Sequence, residues 1–142
     1  MTEQQISLVK QTWKIFREID SAIIGDAFYS KLFVEVPQVK QLFKIPRKEQ
    51  SAKLVEMINV IVGRLDRLSE ITEDIKQLGI RHAGYGVKPS HYRPVGAALL
   101  WTLQQGLGSD WNEQVQDAWE ACYKLLSDTM IKAAGGDQAD AS

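Results

Sequence analysis

Apolar residues recur at helical spacing along most of the chain. Side chains three or four residues apart lie on one face of an α-helix, so such a stripe predicts a helix with one buried face. The first stripe follows Thr2 and Gln5, which have the spacing of a capping box, and we expect its helix to end near Ile19. Its apolar members are Ile6, Val9, Trp13 and Phe16.

Recognisable boundaries separate the next segments. Asp20 or Ser21 has the side chain of a helix N-cap, which predicts the start of a second helix. Pro37 disfavours helical geometry in the residue before it, so this helix stops around Val36. Pro37 itself suits the first turn of a short further helix. A longer stripe then begins at the polar Gln50 and continues with Leu54, Ile58, Ile61 and Leu65.

The second half of the chain continues the same pattern. Ser69 is the predicted start of a helix, and His82 lies four residues after Leu78 on the apolar face of that helix. Two more predicted helices follow, one from Pro89 and Ser90 onward, and a long last one with Val115, Trp119, Cys122, Leu126 and Met130 on its buried face. No segment alternates apolar and polar residues as a strand does, so the predicted fold class is all-α.

Length and composition are those of an ordinary globular domain. The chain has 142 residues, and we predict one domain over residues 1–134 and a disordered polar tail, GGDQADAS, over residues 135–142. Its 17 lysines and arginines against 18 aspartates and glutamates give a net charge of -1, so nothing favours nucleic acid as a partner. No apolar run approaches the roughly 18 residues of a membrane span. The polar N-terminus has no signal-peptide pattern, and we expect a cytoplasmic protein.

His82 is the residue of greatest chemical interest. On spacing alone, a single histidine on an apolar face is more often packed in a core than bound to a metal. The chain has two histidines and one cysteine, Cys122, so a metal held by protein groups alone lacks ligands. A metal already held by an organic ring needs only one protein ligand, and with a single cysteine such a group would be held noncovalently.

Several motifs in order along the chain resemble the globin family. They are Trp13, FYSKLF at 28–33, PQVKQLF at 37–43, His82 within LGIRHAGYGV, HYRPVG at 91–96, and Trp119 within DAWEACY. More narrowly, the chain is similar to bacterial single-domain haemoglobins and to the haem domain of flavohaemoglobins. The resemblance covers nearly the whole chain and implies a three-on-three helical sandwich around a noncovalent haem b, iron protoporphyrin IX.

The resemblance also assigns roles around the haem. His82 matches the proximal histidine that ligates the iron, and Phe43 matches the phenylalanine packed flat against the ring. Tyr29 matches the distal tyrosine and Gln50 the position opposite the iron, with Leu54 one turn later. Without the resemblance, Phe43 is a core aromatic, Tyr29 is half-buried with its hydroxyl in water, and Gln50 is an exposed residue near a helix start. The remaining implied cofactor-binding residues are Ile58, Leu78, Val87, Tyr92 and Val95.

One position departs from the flavohaemoglobin pattern on the proximal side. Tyr92 matches a tyrosine that, in that group, hydrogen-bonds near the proximal histidine together with a glutamate on the last helix. Ala134 stands at the glutamate's position, and Asp128 lies on another face of the helix. Because such partners increase the basicity of the imidazole, we expect no strong electron donation from His82.

Oxygen, nitric oxide and carbon monoxide are the ligands that the resemblance implies. Tyr29 and Gln50 would both donate hydrogen bonds to bound oxygen, which implies slow release and high affinity. The implied chemistry is nitric oxide dioxygenation with an external reductase, because the chain has no room for the flavin and nicotinamide domains of flavohaemoglobins. A gas-sensing or ligand-gated interaction module and a cofactor-free helical scaffold remain as alternatives, and we expect a monomer or a homodimer.

Overall fold

The computed structural model describes residues 1–135, which form six α-helices and four short 3₁₀-helices. The α-helices are α1 (Glu3–Phe16), α2 (Ser21–Glu35), α3 (Arg47–Gly63), α4 (Thr72–Gly84), α5 (Tyr92–Leu107) and α6 (Glu113–Ala133). The 3₁₀-helices are Pro37–Leu42, Leu65–Glu70, Pro89–His91 and Gly108–Asp110. Residues 1–135 contain no strand, and the all-α prediction is confirmed. The predicted polar tail, apart from Gly135, lies outside the described residues.

The predicted helix starts in the first third of the chain are confirmed. The hydroxyl of Thr2 accepts a hydrogen bond from the Gln5 N–H at 3.0 Å, and the Gln5 side chain accepts one from the Thr2 N–H at 3.0 Å. The Asp20 carboxylate caps α2 by accepting from the Ala22 N–H at 2.8 Å. Pro37 begins a 3₁₀-helix, where its missing N–H costs no hydrogen bond.

The predicted helix start at Ser69 is wrong. Residues Leu65–Glu70 form a 3₁₀-helix that is interrupted at Arg67, and α4 begins only at Thr72. Ile71 and Leu65 are both buried, whereas Ser69 is exposed and makes no capping hydrogen bond. Burial of the two apolar side chains therefore decides this boundary against the capping preference of serine.

The helices pack in two layers of three. Contacts of α2 with α3, and of α6 with α1 and α4, join a layer of α1, α3 and α4 to a layer of α2, α5 and α6, and α2 packs on α5 within the second layer. This is the predicted three-on-three arrangement. No helix within residues 1–135 is long and apolar enough to cross a membrane.

Tryptophan side chains from the first and last helices meet in the largest part of the core. Trp13 and Trp119 lie with their ring centroids 6.2 Å apart, and the Trp119 indole N–H donates to the buried hydroxyl of Thr12 at 2.9 Å. Cys122 is 2% exposed in the same cluster, which confirms its predicted place in the core. These contacts hold α1, the first helix, against α6, the last helix.

Gly79 allows α4, the helix that carries His82, to approach α6 closely. A Cβ at Gly79 would lie 2.6 Å from the Cα and 2.8 Å from the carbonyl carbon of Met130, so backbone would have to move. We expect Gly79→Ala to lower the free energy of unfolding by about 1–3 kcal/mol, measured by urea denaturation. Gly84→Ala on the same helix is the control, because nothing lies within 4 Å of its added Cβ. Equal destabilisation by both variants would contradict the close crossing.

Candidate functional site

A cavity of about 110 Å³ lies where α2, the Pro37–Leu42 3₁₀-helix and the start of α3 meet. Three of the predicted site residues, Tyr29, Phe43 and Gln50, line it together. The complete lining is Tyr29, Phe33, Lys40, Phe43, Ile45, Arg47 and Gln50. We call this space the Tyr29 cavity.

The Tyr29 hydroxyl is a buried hydrogen-bond donor in this cavity. Tyr29 is 2% exposed, and its ring meets that of Phe43 edge-on at 5.2 Å. Its hydroxyl donates to the Gln50 carbonyl at 3.5 Å, a long and therefore weak hydrogen bond. Burial raises the pKa of Tyr29 to about 12, although a hydrogen bond with Gln50 and the positive charge of Arg47 act in the opposite direction. Tyr29 therefore keeps its proton at neutral pH and remains available as a donor.

Apolar side chains from three elements pack beside Tyr29. Phe43 follows the 3₁₀-helix, Leu54 lies on α3 and Val95 lies on α5, and all three contact the same buried cluster. That cluster comprises Phe28, Tyr29, Leu32, Val39 and Ala98. These predicted cofactor-binding residues are therefore brought together by the fold.

Within residues 1–135, one ring nitrogen of His82 makes no hydrogen bond. Its Nδ1 lies 2.9 Å from the Leu78 carbonyl, and because a carbonyl oxygen only accepts, Nδ1 carries the proton. Burial lowers the pKa of His82 below its usual value, Arg81 acts in the same direction, and the hydrogen bond to Leu78 opposes both. The ring is therefore neutral at neutral pH, with the lone pair of Nε2 available to a metal.

The other predicted cofactor-binding residues lie outside the lining of the Tyr29 cavity. Ile58 packs in the core cluster of Trp13 and Trp119. Leu78 and Tyr92 pack on a third cluster formed by Ile61, Ile71, Ile75 and Met130, and Val87 is half-buried in the loop after α4. Their proposed contacts with a cofactor stay predictions.

Three polar contacts involve residues that the sequence analysis considered on the proximal side, namely Tyr92, His82 and Asp128. The Tyr123 hydroxyl donates to the Tyr92 carbonyl at 2.6 Å, while the hydrogen bond of the His82 ring goes to Leu78. Ala134 follows the C-terminus of α6 and is exposed, and Asp128 pairs with the Lys124 ammonium at 2.8 Å on the surface. No carboxylate in the described part of the chain makes a hydrogen bond with Tyr92 or His82.

Four lining residues of the cavity were not among the predicted site residues: Phe33, Lys40, Ile45 and Arg47. Phe33 is four residues after Tyr29 on α2, and Arg47 is three residues before Gln50 on α3. Helical spacing places both on the faces of their predicted partners, so a signal was present. Lys40 lies in the Pro37–Leu42 3₁₀-helix and Ile45 in the connection after Phe43, so neither belongs to an α-helix whose spacing predicts a face.

The donor set fits a haem better than a bare metal ion. Among residues 1–135, no three or more side chains of histidine, cysteine, aspartate or glutamate converge on one point. The predicted site residues offer an imidazole nitrogen on α4, where His82 lies outside the lining of the Tyr29 cavity, and, within that cavity, aromatic walls and a protonated phenol. This set suits an iron whose other ligands come from an organic ring.

The model of the family described as Globin matches residues 26–130, which include Tyr29, Phe43, Gln50 and His82. The chain belongs to the globin family. A relative named "Uncharacterized globin-like protein" from Aquifex aeolicus is 32% identical over 131 residues, which are 92% of each chain. The family resemblance predicted from the motifs is therefore confirmed.

Two further comparisons match this globin to bacterial proteins. A flavohemoprotein of Vibrio cholerae is 27% identical over 138 residues, which are 95% of this globin and 35% of that protein. The chain thus spans about a third of the length of the flavohemoproteins it matches. The crystal structure of a bacterial globin from Campylobacter jejuni, 26% identical, superposes with a TM-score of 0.81 over 94% of this globin and 96% of that chain.

Proposed function

We propose that this globin holds a haem b through Nε2 of His82 and binds diatomic gases, oxygen in particular, beside Tyr29. The observation that carries the proposal is the pair of a neutral imidazole with a free Nε2 and a buried phenol that keeps its proton. The haem would supply an iron with one coordination position open to a gas.

Tyr29 and Gln50 would set the affinity for oxygen. The Tyr29 O–H and the Gln50 amide N–H are donors, and oxygen gains negative charge from ferrous haem. The rings of Phe33 and Phe43 line the same space and limit competition from water. Two donors in such surroundings favour slow release of oxygen and hence high affinity.

Nitric oxide dioxygenation is the catalytic activity that we propose. Oxygen and nitric oxide combine to nitrate, and the iron gives up one electron, so every turnover requires one electron from a reductant. We propose that a reductase supplies this electron. Nitric oxide consumption with excess reductant, and nitrate as the product, would support turnover. Gas binding without nitrate formation would favour a sensor.

We expect the purified protein to take up one haem per chain with a Soret absorption band. The reduced, gas-free form should be five-coordinate, because the Gln50 amide is a poor ligand for ferrous iron. Spectra with and without oxygen and carbon monoxide check both points. Failure to take up haem would contradict the proposed function, whereas a low-spin, six-coordinate ferrous form would contradict only the position proposed for Gln50 opposite the iron.

A further inference from the structure

Arg47 stands at the mouth of the Tyr29 cavity. Its side chain lines the cavity and is 40% exposed, so it faces solvent and the aromatic interior at once. The guanidinium carbon lies 5.6 Å from the centre of the Tyr29 ring and 5.5 Å from that of Phe33. Stacking on these two rings holds a positive charge at the entrance.

The ion pair of Arg47 leaves most of that charge uncompensated. The nearest carboxylate is that of Asp26 on α2, at 3.4 Å, and its side chain is 66% exposed. An ion pair between two solvated side chains is weak, and water and salt screen it. Asp26 therefore reduces the field of Arg47 at the cavity without cancelling it.

The polar groups of the cavity are suited to an anion. Its seven lining residues include two cations, Arg47 and Lys40, and no carboxylate. The Tyr29 hydroxyl and the Gln50 amide add two donors of hydrogen bonds. Because the remaining walls are apolar, a charge inside the cavity is less screened than it is in bulk water.

We propose that Arg47 is a specificity-determining residue that favours small monovalent anions, of the class of nitrite and azide, over carbon monoxide in the Tyr29 cavity. The proposal rests on the proposed function, since the anion would bind at the haem iron from this side. Its new content is the role of Arg47, which would set the preference among the ligands of this cavity.

The test is a spectral titration of the haem-loaded ferric protein with azide and with nitrite. Arg47→Met removes the charge and keeps a long side chain, and we expect its azide and nitrite dissociation constants to rise about three- to tenfold. Arg47→Lys should keep most of the affinity. Carbon monoxide binding to the ferrous form should stay within about twofold of the wild type in both variants, because carbon monoxide carries no net charge.

Two further variants distinguish an effect of the Arg47 charge in the cavity from an effect of any nearby charge on azide affinity. Lys48→Met is the matched control, because Lys48 is exposed on the same turn of α3 and is absent from the cavity lining. It should change azide affinity by less than about twofold. Asp26→Asn should have the opposite sign and strengthen azide binding, because it frees the charge of Arg47. This last variant also carries the test if Arg47→Met fails to retain haem.

Three results would overturn the inference while the proposed function stands. They are unchanged azide affinity in Arg47→Met, equal loss in Arg47→Met and Lys48→Met, and parallel changes for azide and carbon monoxide. Absence of a haem spectrum in the wild-type protein is a different outcome, which overturns the proposed function and this inference together.

Discussion

His82→Gly is expected to abolish stable haem binding. The loss of haem affinity should be at least about a hundredfold, because mutating a residue that only hydrogen-bonds to a metal ligand already costs about ten- to a hundredfold. The reason is that no other imidazole is placed to replace it. His91, the second histidine of the chain, accepts a hydrogen bond from the Lys88 N–H at 3.0 Å through its Nδ1 and lies in the Pro89–His91 3₁₀-helix. Haem content after gel filtration and the ferrous spectrum measure the effect.

Two controls sharpen this experiment. His91→Gly should keep wild-type haem content, because only the cap of a short 3₁₀-helix is removed. Exogenous imidazole should restore haem binding to His82→Gly, since the small ligand can enter the space that the side chain vacates. A variant that keeps its haem and an unchanged histidine-ligated spectrum would show that His82 is not the ligand.

Tyr29→Phe is expected to speed oxygen dissociation by roughly ten- to a hundredfold. A hydrogen bond to a charged acceptor contributes about 1.5–3 kcal/mol, and about 1.36 kcal/mol corresponds to a tenfold change in rate. The substitution keeps the ring that packs against Phe43 and Phe33 and removes only the hydroxyl. Laser photolysis or ligand replacement in a stopped-flow instrument measures the rate.

Carbon monoxide is the internal control for this variant. It carries far less negative charge than oxygen at ferrous haem, so its dissociation should change little. Gln50→Leu should accelerate oxygen release in the same direction but less, because its amide shares the ligand with the Tyr29 hydroxyl. Equal acceleration of both gases would indicate a steric effect, and an unchanged oxygen rate would remove Tyr29 as the donor.

Local interactions explain why so much of the fold was predictable. The capping box of Thr2 and Gln5, the N-cap Asp20 and the break at Pro37 each depend on residues within three positions of one another. The motifs that resemble globins also predicted one site for Tyr29, Phe43 and Gln50, and these three residues line one cavity. The role of His82 as a ligand stays a prediction, and its free Nε2 supports it.

The sequence by itself determined most of the helices and the all-α class, because periodicity, caps and prolines act over one or two turns, and its globin-like motifs indicated the family. Only the tertiary structure decided where α4 begins, since Leu65 and Ile71 are both buried, in two different core clusters, on either side of an irregular turn. It also decided that Arg47 reaches across to the rings of α2, some 14 to 18 positions away in sequence. Contacts of that kind depend on how whole helices cross, and no spacing within one helix encodes them.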